Sequence, residues 1–258
     1  MPLYITSLNS GSNGNCYYVG NEQEAVLIDA GISCRETEKR IHRLGLSLHT
    51  IKAIFVSHEH TDHIRGIPQL ARKHQWPVYI TPRTLQQSRL PYQSFPTHQL
   101  RSFEPVQIGA LTITAFPKLH DASDPHSFVI DCEGTRVGVF TDIGSPCKNV
   151  IHHFSQCHAA FLEANYDDDM LEKGSYPYYL KRRIRGGHGH LSNQQALDLF
   201  KGYKPSFMSH ILLSHLSKDN NSPQLTHDLF TAHAHNTEVI VASRFEETPV
   251  FTIAGNFV

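Results

Sequence analysis

The strongest chemical signal in the chain is the segment 57–63 (SHEHTDH). It follows the apolar run 53–56 (AIFV), which is typical of a buried strand. Three imidazoles and the carboxylate of Asp62 within six residues form a set of nitrogen and oxygen ligands suited to Zn²⁺, Mn²⁺ or Fe²⁺. The spacing lets His58 and His60 bind one ion while Asp62 and His63 reach a second. The alternative interpretation is a solvated, histidine-rich loop.

Strands and helices that position such a loop are indicated along the whole chain. Helix starts are predicted where Ser33 and Glu36, and Ser192 and Gln195, have capping-box spacing, and where Ser222 precedes a proline. The third of these helices is predicted to run to about residue 234. Runs rich in Val, Ile, Phe and Tyr predict strands at 3–7, 16–19, 25–29, 53–57, 78–81, 111–116, 128–132, 136–140, 159–163, 207–213, 239–242 and 250–253.

The order of these elements predicts the fold class. A hairpin-rich opening is followed by strand–helix alternation and then by a second hairpin-rich run over 111–140. That order favours two sheets with helices on their outer faces, a four-layer α/β/β/α sandwich whose second half repeats the first in outline. No linker, repeat or low-complexity tract divides the chain. We therefore expect a single domain over residues 1–258.

Composition limits the classes of function. The chain has 258 residues, of which 40% are apolar and 18% charged, so it is ordinary globular material. The formal net charge is −1, so a nucleic acid would have to be held by a local basic patch. The five cysteines form no CxxC pair, which is typical of a reducing cytoplasm. No signal peptide is seen and no apolar run approaches ~18 residues, so no membrane association is expected. The 19 histidines suggest metal chemistry.

Four further motifs make the chain resemble the metallo-β-lactamase-fold hydrolases. They are Asp29 in 27–31 (LIDAG), His120, Asp142 in 140–144 (FTDIG) and His215 in 213–217 (LSHLS), in the order and spacing of that family. The resemblance extends over essentially the whole chain. It implies the α/β/β/α sandwich and a dinuclear metal site.

The resemblance also implies a role for each motif residue. His58, His60 and His120 would hold one divalent ion, and Asp62, His63 and His215 the other. Asp142 would bridge both ions, and Asp29 would orient the motif from behind the ligands. Asp62 is also expected to take part in catalysis. An aspartate at position 142, where lactamase-type sites often carry cysteine, favours a dinuclear hydrolase. Two metals suit phosphodiester cleavage, because they activate water and neutralise phosphate oxygens.

A pair of residues in the second half is similar to a feature of the ribonuclease Z branch. In that branch a glutamate after a strand supports a histidine that protonates the leaving oxygen, and the matching positions here are Glu163 and His190. A carboxylate-paired histidine can supply such a proton near neutral pH. The alternative is a helix N-terminal region with an incidental histidine.

Among smaller subfamilies, the chain is most similar to YycJ/WalJ-like proteins. The similarity lies in the segments 10–16 (SGSNGNC), 163–167 (EANYD), 176–178 (YPY) with 180–184 (LKRRI), 189–193 (GHLSN), 215–217 (HLS) and 220–223 (NNSP). It implies nuclease activity on DNA ends in the 5′ to 3′ direction. The segment 185–188 (RGGH) departs from the subfamily pattern, which leaves the role of His188 open.

Substrate contacts are expected on a basic run and on two polar loops. Residues 181–185 (KRRIR) carry four positive charges beside Tyr176, Tyr178 and Tyr179, which suits phosphates and bases, although a solvated helix face has the same pattern. The small residues of 10–15 suit a phosphate cradle or an ordinary hairpin turn. The predicted contacts are Ser12, Asn13, Lys181, Arg182, Arg183, Ser192 and Ser217.

Several functions compatible with this fold remain open from the sequence. We expect a metal-dependent phosphodiesterase with DNA as the favoured nucleic acid and RNA as an alternative. The rivals are a small-molecule cyclic phosphodiesterase, a glyoxalase II-type thioesterase and a non-catalytic binding module. The segment between Asp142 and His215 is too short for the inserted domain of β-CASP nucleases. The native metal and the oligomeric state are not indicated.

Overall fold

Two seven-stranded mixed sheets form the centre of the protein in the computed structural model, which describes residues 1–255. The strands are β1 Leu3–Asn9, β2 Cys16–Gly20, β3 Ala25–Ile28, β4 Ile51–Phe55, β5 Val78–Ile80, β6 Thr97–Gln99, β7 Val106–Ile108, β8 Leu111–Pro117, β9 His126–Cys132, β10 Thr135–Phe140, β11 Ala159–Glu163, β12 His210–Ser214, β13 Glu238–Val241 and β14 Phe251–Ile253. The helices are α1 Cys34–Arg43, α2 Thr61–Ile64, α3 Ile67–His74, α4 Pro82–Ser88, α5 Lys148–Phe154, α6 Asp168–Lys173, α7 Tyr178–Arg185, α8 Asn193–Tyr203 and α9 Pro223–Thr231, with 3₁₀ turns at Leu48–Thr50 and Tyr92–Ser94.

The two sheets have the same plan. The first has the order β14-β1-β2-β3-β4-β5-β6 and the second β13-β12-β11-β10-β9-β8-β7. In each, a set of antiparallel strands is joined to four parallel ones, β3 to β6 in the first sheet and β10 to β13 in the second. The predicted repetition of the first half by the second is therefore present in the topology.

Three apolar clusters separate the layers. One lies between the two sheets and includes Ile5, Phe55 and Phe161. The second packs the outer face of the first sheet against α1 and α3, and the third packs the outer face of the second sheet against α5, α8 and α9. The predicted four-layer α/β/β/α sandwich is confirmed. The single domain stays a prediction, and residues 256–258 of its range lie outside the described part of the chain.

Differences from the sequence prediction lie at the edges of elements. Strands β6 and β7 were not predicted, because each has only three residues, of which β6 (THQ) has none that is apolar and β7 (VQI) only two. Helix α9 ends at Thr231 and not near residue 234, and β12 begins at His210 and not at residue 207. The capping box at Ser192 is complete. At Ser33 only the hydroxyl contact forms, since the Glu36 carboxylate pairs with Arg40.

The parallel strands bring the motif residues to one edge of the sandwich. Asp29 follows β3, Glu163 ends β11 and His215 follows β12, while His58 and Asp142 lie in the loops just after β4 and β10. In open α/β sheets, ligands bind outside the carboxyl ends of the strands. The fold therefore places the candidate site at this edge. No helix in residues 1–255 has the length and apolar character to cross a membrane.

Candidate metal centre and active site

The first donor group consists of His58, His60 and His120. One ligand atom from each of these side chains lies within 4.8 Å of the other two. His58 Nε2 and His60 Nδ1 are 3.0 Å apart, and His58 and His120 are buried. Three imidazole nitrogens that face one point match the protein ligands of a tetrahedral site with one open position.

The second donor group consists of Asp62, His63 and His215, whose ligand atoms also lie within 4.8 Å of one another. Asp62 Oδ2 is 3.5 Å from both His63 Nε2 and His215 Nε2. The mixed carboxylate and imidazole set suits the same divalent ions as the first group.

Asp142 lies between the two groups. Its carboxylate forms a further donor set with His58 and His63, and another with Glu163, His190 and His215. Asp142 Oδ2 is 3.2 Å from His63 Nε2, and Oδ1 is 3.9 Å from His120 Nε2. A carboxylate within reach of both groups has the position of a bridging ligand.

Two buried nitrogens in this cluster show that it fits cations. Within residues 1–255, His120 Nε2 and His215 Nε2 are fully buried and have no hydrogen-bond partner. A buried polar atom without a partner costs about 1–3 kcal/mol, so such atoms need another ligand. Both nitrogens face the donor groups, and two divalent ions would satisfy them.

The far side of each ring is held by a hydrogen bond. His58 Nδ1 donates to Ser57 Oγ at 2.9 Å, and that hydroxyl donates to Asp29 Oδ2 at 2.7 Å. His63 Nδ1 donates to Asp29 Oδ2 at 2.7 Å, and His120 Nδ1 donates to the Gly189 carbonyl at 2.9 Å. These bonds orient the three rings so that the Nε2 atom of each one faces the donor groups. Asp29 lies behind the ligands, where the resemblance implied it.

Three of the site residues have a left-handed backbone. Asp29, Asp142 and His215 have φ angles of 60°, 53° and 58° and lie one or two residues after their strands. Such a conformation costs of the order of 1–3 kcal/mol in a residue other than glycine and clusters at functional sites. The turn redirects each side chain from the strand into the cluster.

Two glycines allow the loops to approach closely. A Cβ at Gly31 would lie 1.6 Å from the Asp62 carbonyl oxygen, so only glycine lets the 29–31 turn pack on the metal loop. A Cβ at Gly144 would lie 2.3 Å from the Cα of His188. That contact brings the segment that carries His190 against the Asp142 turn.

The protonation states of the clustered side chains suit the binding of cations. Burial lowers the pKa of His58 well below its usual value and that of His120 to about 4, so both rings are neutral ligands at pH 7. Burial opposes ionisation of Asp142, but the neighbouring His215 and His63 outweigh it and hold its pKa well below the usual range. Burial also lowers the pKa of His215, yet Asp142, Asp62 and Glu163 raise it to about 10. Ion binding therefore releases a proton from His215.

Glu163 and His190 form a pair beside the donor groups. His190 Nδ1 donates to Glu163 Oε1 at 2.7 Å, and His215 Nδ1 donates to the same oxygen at 3.1 Å. Glu163 Oε2 accepts from the backbone N–H groups of Ile143 at 2.6 Å and Leu191 at 3.2 Å. Burial raises the pKa of Glu163, but the charge and hydrogen bond of His190 dominate and lower it to about 2. A fixed carboxylate thus orients the ring of His190.

A cavity of about 190 Å³ opens over this pair. His190 and His215 form its floor, and Ser12, Ser217 and Arg183 line its walls. Arg183 Nε donates to Asp121 Oδ2 at 2.5 Å, which places the guanidinium across the opening. Three of the predicted substrate contacts therefore face the site.

The other four predicted contacts lie outside this cavity lining. Lys181 Nζ donates to the Glu172 carbonyl at 2.5 Å, and Arg182 is exposed on another face of α7. Asn13 Nδ2 donates to the Arg244 carbonyl at 2.8 Å. Ser192 is buried, and its hydroxyl accepts from the Gln195 N–H as the N-cap of α8. The side chains of Lys181, Asn13 and Ser192 are engaged in these hydrogen bonds. Arg182 points away from the cavity because it lies on another face of α7.

Sequence reasoning missed Asn15 and Asp121. Asn15 Nδ2 is 3.1 Å from Asp62 Oδ2 and 3.1 Å from His63 Nε2, so this buried amide orients ligands of the second group. The sequence feature that could have indicated a role for Asn15 is its position in the 10–16 segment, which is similar in the YycJ/WalJ-like proteins. Asp121 Oδ1 is 3.4 Å from His120 Nε2. The signal for Asp121 in the sequence is its position next to His120.

Comparison with known proteins agrees with this geometry. A model of the β-lactamase superfamily domain matches residues 24–215. The exodeoxyribonuclease YycJ of Bacillus anthracis is 33% identical over 228 residues, which cover 87% of this chain and 86% of that protein. The chain belongs to the metallo-β-lactamase superfamily and its YycJ/WalJ-like family. The resemblance stated from the sequence is confirmed.

Solved structures of this superfamily share the fold. The metallo-β-lactamase-fold protein YhfI of Bacillus subtilis superposes with a TM-score of 0.75 at 17% identity, and 98% of this chain and 100% of that chain are covered. The short form of human tRNase Z superposes with a TM-score of 0.65 at 18% identity, again with 98% and 100% coverage. Superfamily membership and the donor groups together indicate a hydrolase with bound divalent metal ions.

Replacing Asp29 with asparagine is expected to weaken metal binding about 10–100-fold. The amide would keep the size of the side chain but lose the charge that accepts from His63 and Ser57. Chelator competition measures the affinity, and the exposed Asp228 gives a matched control as Asp228→Asn. Unchanged affinity in Asp29→Asn would remove Asp29 from its supporting role.

Proposed function

We propose that the protein is a dinuclear metal-dependent phosphodiesterase that hydrolyses DNA from its ends. The observation that carries the proposal is the Glu163–His190 pair, which lies beside two donor groups joined by Asp142. A thioesterase has no need of this pair, whereas an alkoxide leaving group needs a proton. The name of the Bacillus anthracis relative, an exodeoxyribonuclease, supports DNA as the substrate and an exonuclease as the activity.

Each residue of the centre has a proposed role. His58, His60 and His120 hold one ion, Asp62, His63 and His215 hold the other, and Asp142 contacts both. When bound, the two ions activate a water molecule and neutralise phosphate oxygens. Zn²⁺ and Mn²⁺ are the proposed ions and Fe²⁺ is an alternative, since all the ligands are nitrogen or oxygen.

The chain's own residues complete the reaction. Glu163 holds His190 by its Nδ1, which leaves Nε2 of the ring as the proton donor to the departing 3′ or 5′ oxygen. Asp62 is proposed to orient the attacking water, because its carboxylate is the one ligand of the second group that is partly exposed. Ser12 and Ser217 are proposed to bind substrate from the cavity wall.

The compartment is part of the proposal. All five cysteines are free, which supports a reducing, cytoplasmic location.

The direct test is hydrolysis by metal-loaded protein. Single- and double-stranded DNA and RNA, labelled at either end, are incubated beside bis(p-nitrophenyl) phosphate. We expect successive release of mononucleotides from DNA, and the labelled end that is lost first gives the direction. Cleavage of cyclic dinucleotides or thioesters, with no action on any nucleic acid, would contradict the proposal.

Arg183 is the basic residue of α7 that we expect to contact substrate phosphate. Its guanidinium lies at the cavity, while Lys181 and Arg182 do not line it. Arg183→Ala is expected to weaken DNA binding and to reduce the slope of log affinity against log salt by about 0.7–0.9, the value for one phosphate contact. Fluorescence anisotropy at several salt concentrations measures both quantities.

The neighbouring arginine supplies the control. Arg182→Ala removes the same charge from the same helix but from an exposed face away from the cavity. Equal loss of affinity in the two variants would mean that the helix acts only through its total charge.

A further inference from the structure

A second cavity adjoins the cavity of the active site. It has a volume of about 220 Å³ and shares Leu216 and Ser217 with the cavity over His190. Ser10, Lys218, Pro223, Val241, Arg244 and Phe245 contribute to its walls. The two cavities therefore adjoin at the Leu216–Ser217 segment after β12, and we call the second one the Arg244–Phe245 groove.

Phe245 lies at the mouth of this second cavity. It lines the cavity, yet 75% of its surface is exposed. The exposure is not the result of a loose backbone. Its carbonyl accepts from the buried Arg40 Nη2 at 2.8 Å, and its N–H donates to Ser243 Oγ at 3.0 Å. The aromatic face is thus held open to solvent by a fixed backbone.

Arg244 lies at the border of the two cavities. Its Nη2 donates at 2.9 Å to the carbonyl of Leu216. The guanidinium crosses Gly11, where a Cβ would lie 2.8 Å from Arg244 Nη2. The Arg244 carbonyl accepts from Asn13 Nδ2, so the 10–15 loop and the Arg244–Phe245 segment are joined.

The groove combines the chemistry that a nucleotide requires. An exposed aromatic ring stacks on any base, and Arg244 and Lys218 bring positive charge beside it. We expect this contact to show no preference for a particular base, because stacking on an aromatic ring involves the face of the base and not its hydrogen-bonding edge. A free anion would use only the positive charge of this combination.

We propose that the Arg244–Phe245 groove binds the nucleotide next to the scissile phosphodiester of a single-stranded DNA end. The base stacks on Phe245, and its phosphate lies against Arg244 and Lys218. The inference rests on the proposed nuclease function, which places the scissile phosphate at the donor groups. It adds a binding site for single strands and assigns its residues.

The test compares three variants on two substrates. Phe245→Ala removes the ring, Phe245→Tyr keeps it, and Phe103→Ala removes a ring that is 53% exposed and lies outside both cavities. Metal-loaded proteins are assayed on single-stranded oligothymidylate and on bis(p-nitrophenyl) phosphate, which carries no nucleoside next to the scissile bond. Both KM and kcat are measured.

For Phe245→Ala we expect KM on oligothymidylate to rise about tenfold, which corresponds to about 1.4 kcal/mol. Turnover of bis(p-nitrophenyl) phosphate is expected to stay unchanged, and Phe245→Tyr and Phe103→Ala are expected to match the wild type on both substrates. An unchanged KM for oligothymidylate in Phe245→Ala would overturn the inference while DNA cleavage by the wild type still supports the function. If wild-type protein cleaves neither substrate, the proposed function itself has failed, before any variant is compared.

Discussion

Replacing His190 with alanine is expected to slow DNA hydrolysis about 10²–10⁴-fold, the usual span for general acid catalysis. Both ions are expected to stay bound, because the two donor groups are complete without His190. His190 Nδ1 lies 3.9 Å from Asp142 Oδ1, but it is held at 2.7 Å by Glu163. Single-turnover rates on end-labelled DNA and elemental analysis of the same preparation measure the two effects.

The leaving group supplies the control for this prediction. A p-nitrophenolate leaves without a proton, so the loss in His190→Ala is expected to shrink on bis(p-nitrophenyl) phosphate. His188→Ala removes an exposed histidine from the same loop and is expected to keep wild-type rates. Equal losses on both substrates, or loss of an ion, would make His190 a ligand or a structural residue.

Replacing Asp142 with alanine is expected to remove at least one ion and to reduce hydrolysis of every substrate to background. Asp142 supplies the carboxylate that lies in reach of both donor groups. Its removal also leaves His63 and His215 without the charge that balances them in a buried site. Two ions per chain in wild type, and one or none in the variant, is the expected elemental analysis.

The control must separate metal loss from unfolding. Asp228→Ala changes an exposed aspartate on α9 and is expected to keep both ions. Circular dichroism and thermal unfolding of Asp142→Ala report whether the fold persists. A folded Asp142→Ala protein that retains two ions and full activity would rule out a bridging role.

The sequence by itself determined the local part of the centre. His58, His60, Asp62 and His63 lie within six residues, in the loop after β4 and the start of α2, so the distances among them are set by a few bonds. The apolar runs predicted most of the strands because both faces of each sheet are covered, which keeps those strands nearly continuous in Val, Ile, Leu and Phe. Asp29, His120, Asp142 and His215 were found through the family resemblance, since each alone is an ordinary polar residue at a strand end.

The tertiary structure decided how distant side chains combine. Glu163 was expected to support His190, but the sequence did not indicate that the same oxygen also accepts from His215, 52 residues away. Asn15 reaches Asp62 because Gly31, which has no side chain, lets the backbone around Asn15 and Asp62 pack closely together.

The tertiary structure also selected among neighbouring charges. Lys181, Arg182 and Arg183 are consecutive and equally basic, yet only Arg183 lines the active-site cavity. Successive residues of a helix point about 100° apart, so the packing of α7 on the sandwich, and not its composition, chooses the one that meets the substrate. The same is true of Phe245. In the sequence it is a single aromatic residue in a polar segment, and only the packing of the segments after β12 and β13 places it at the groove.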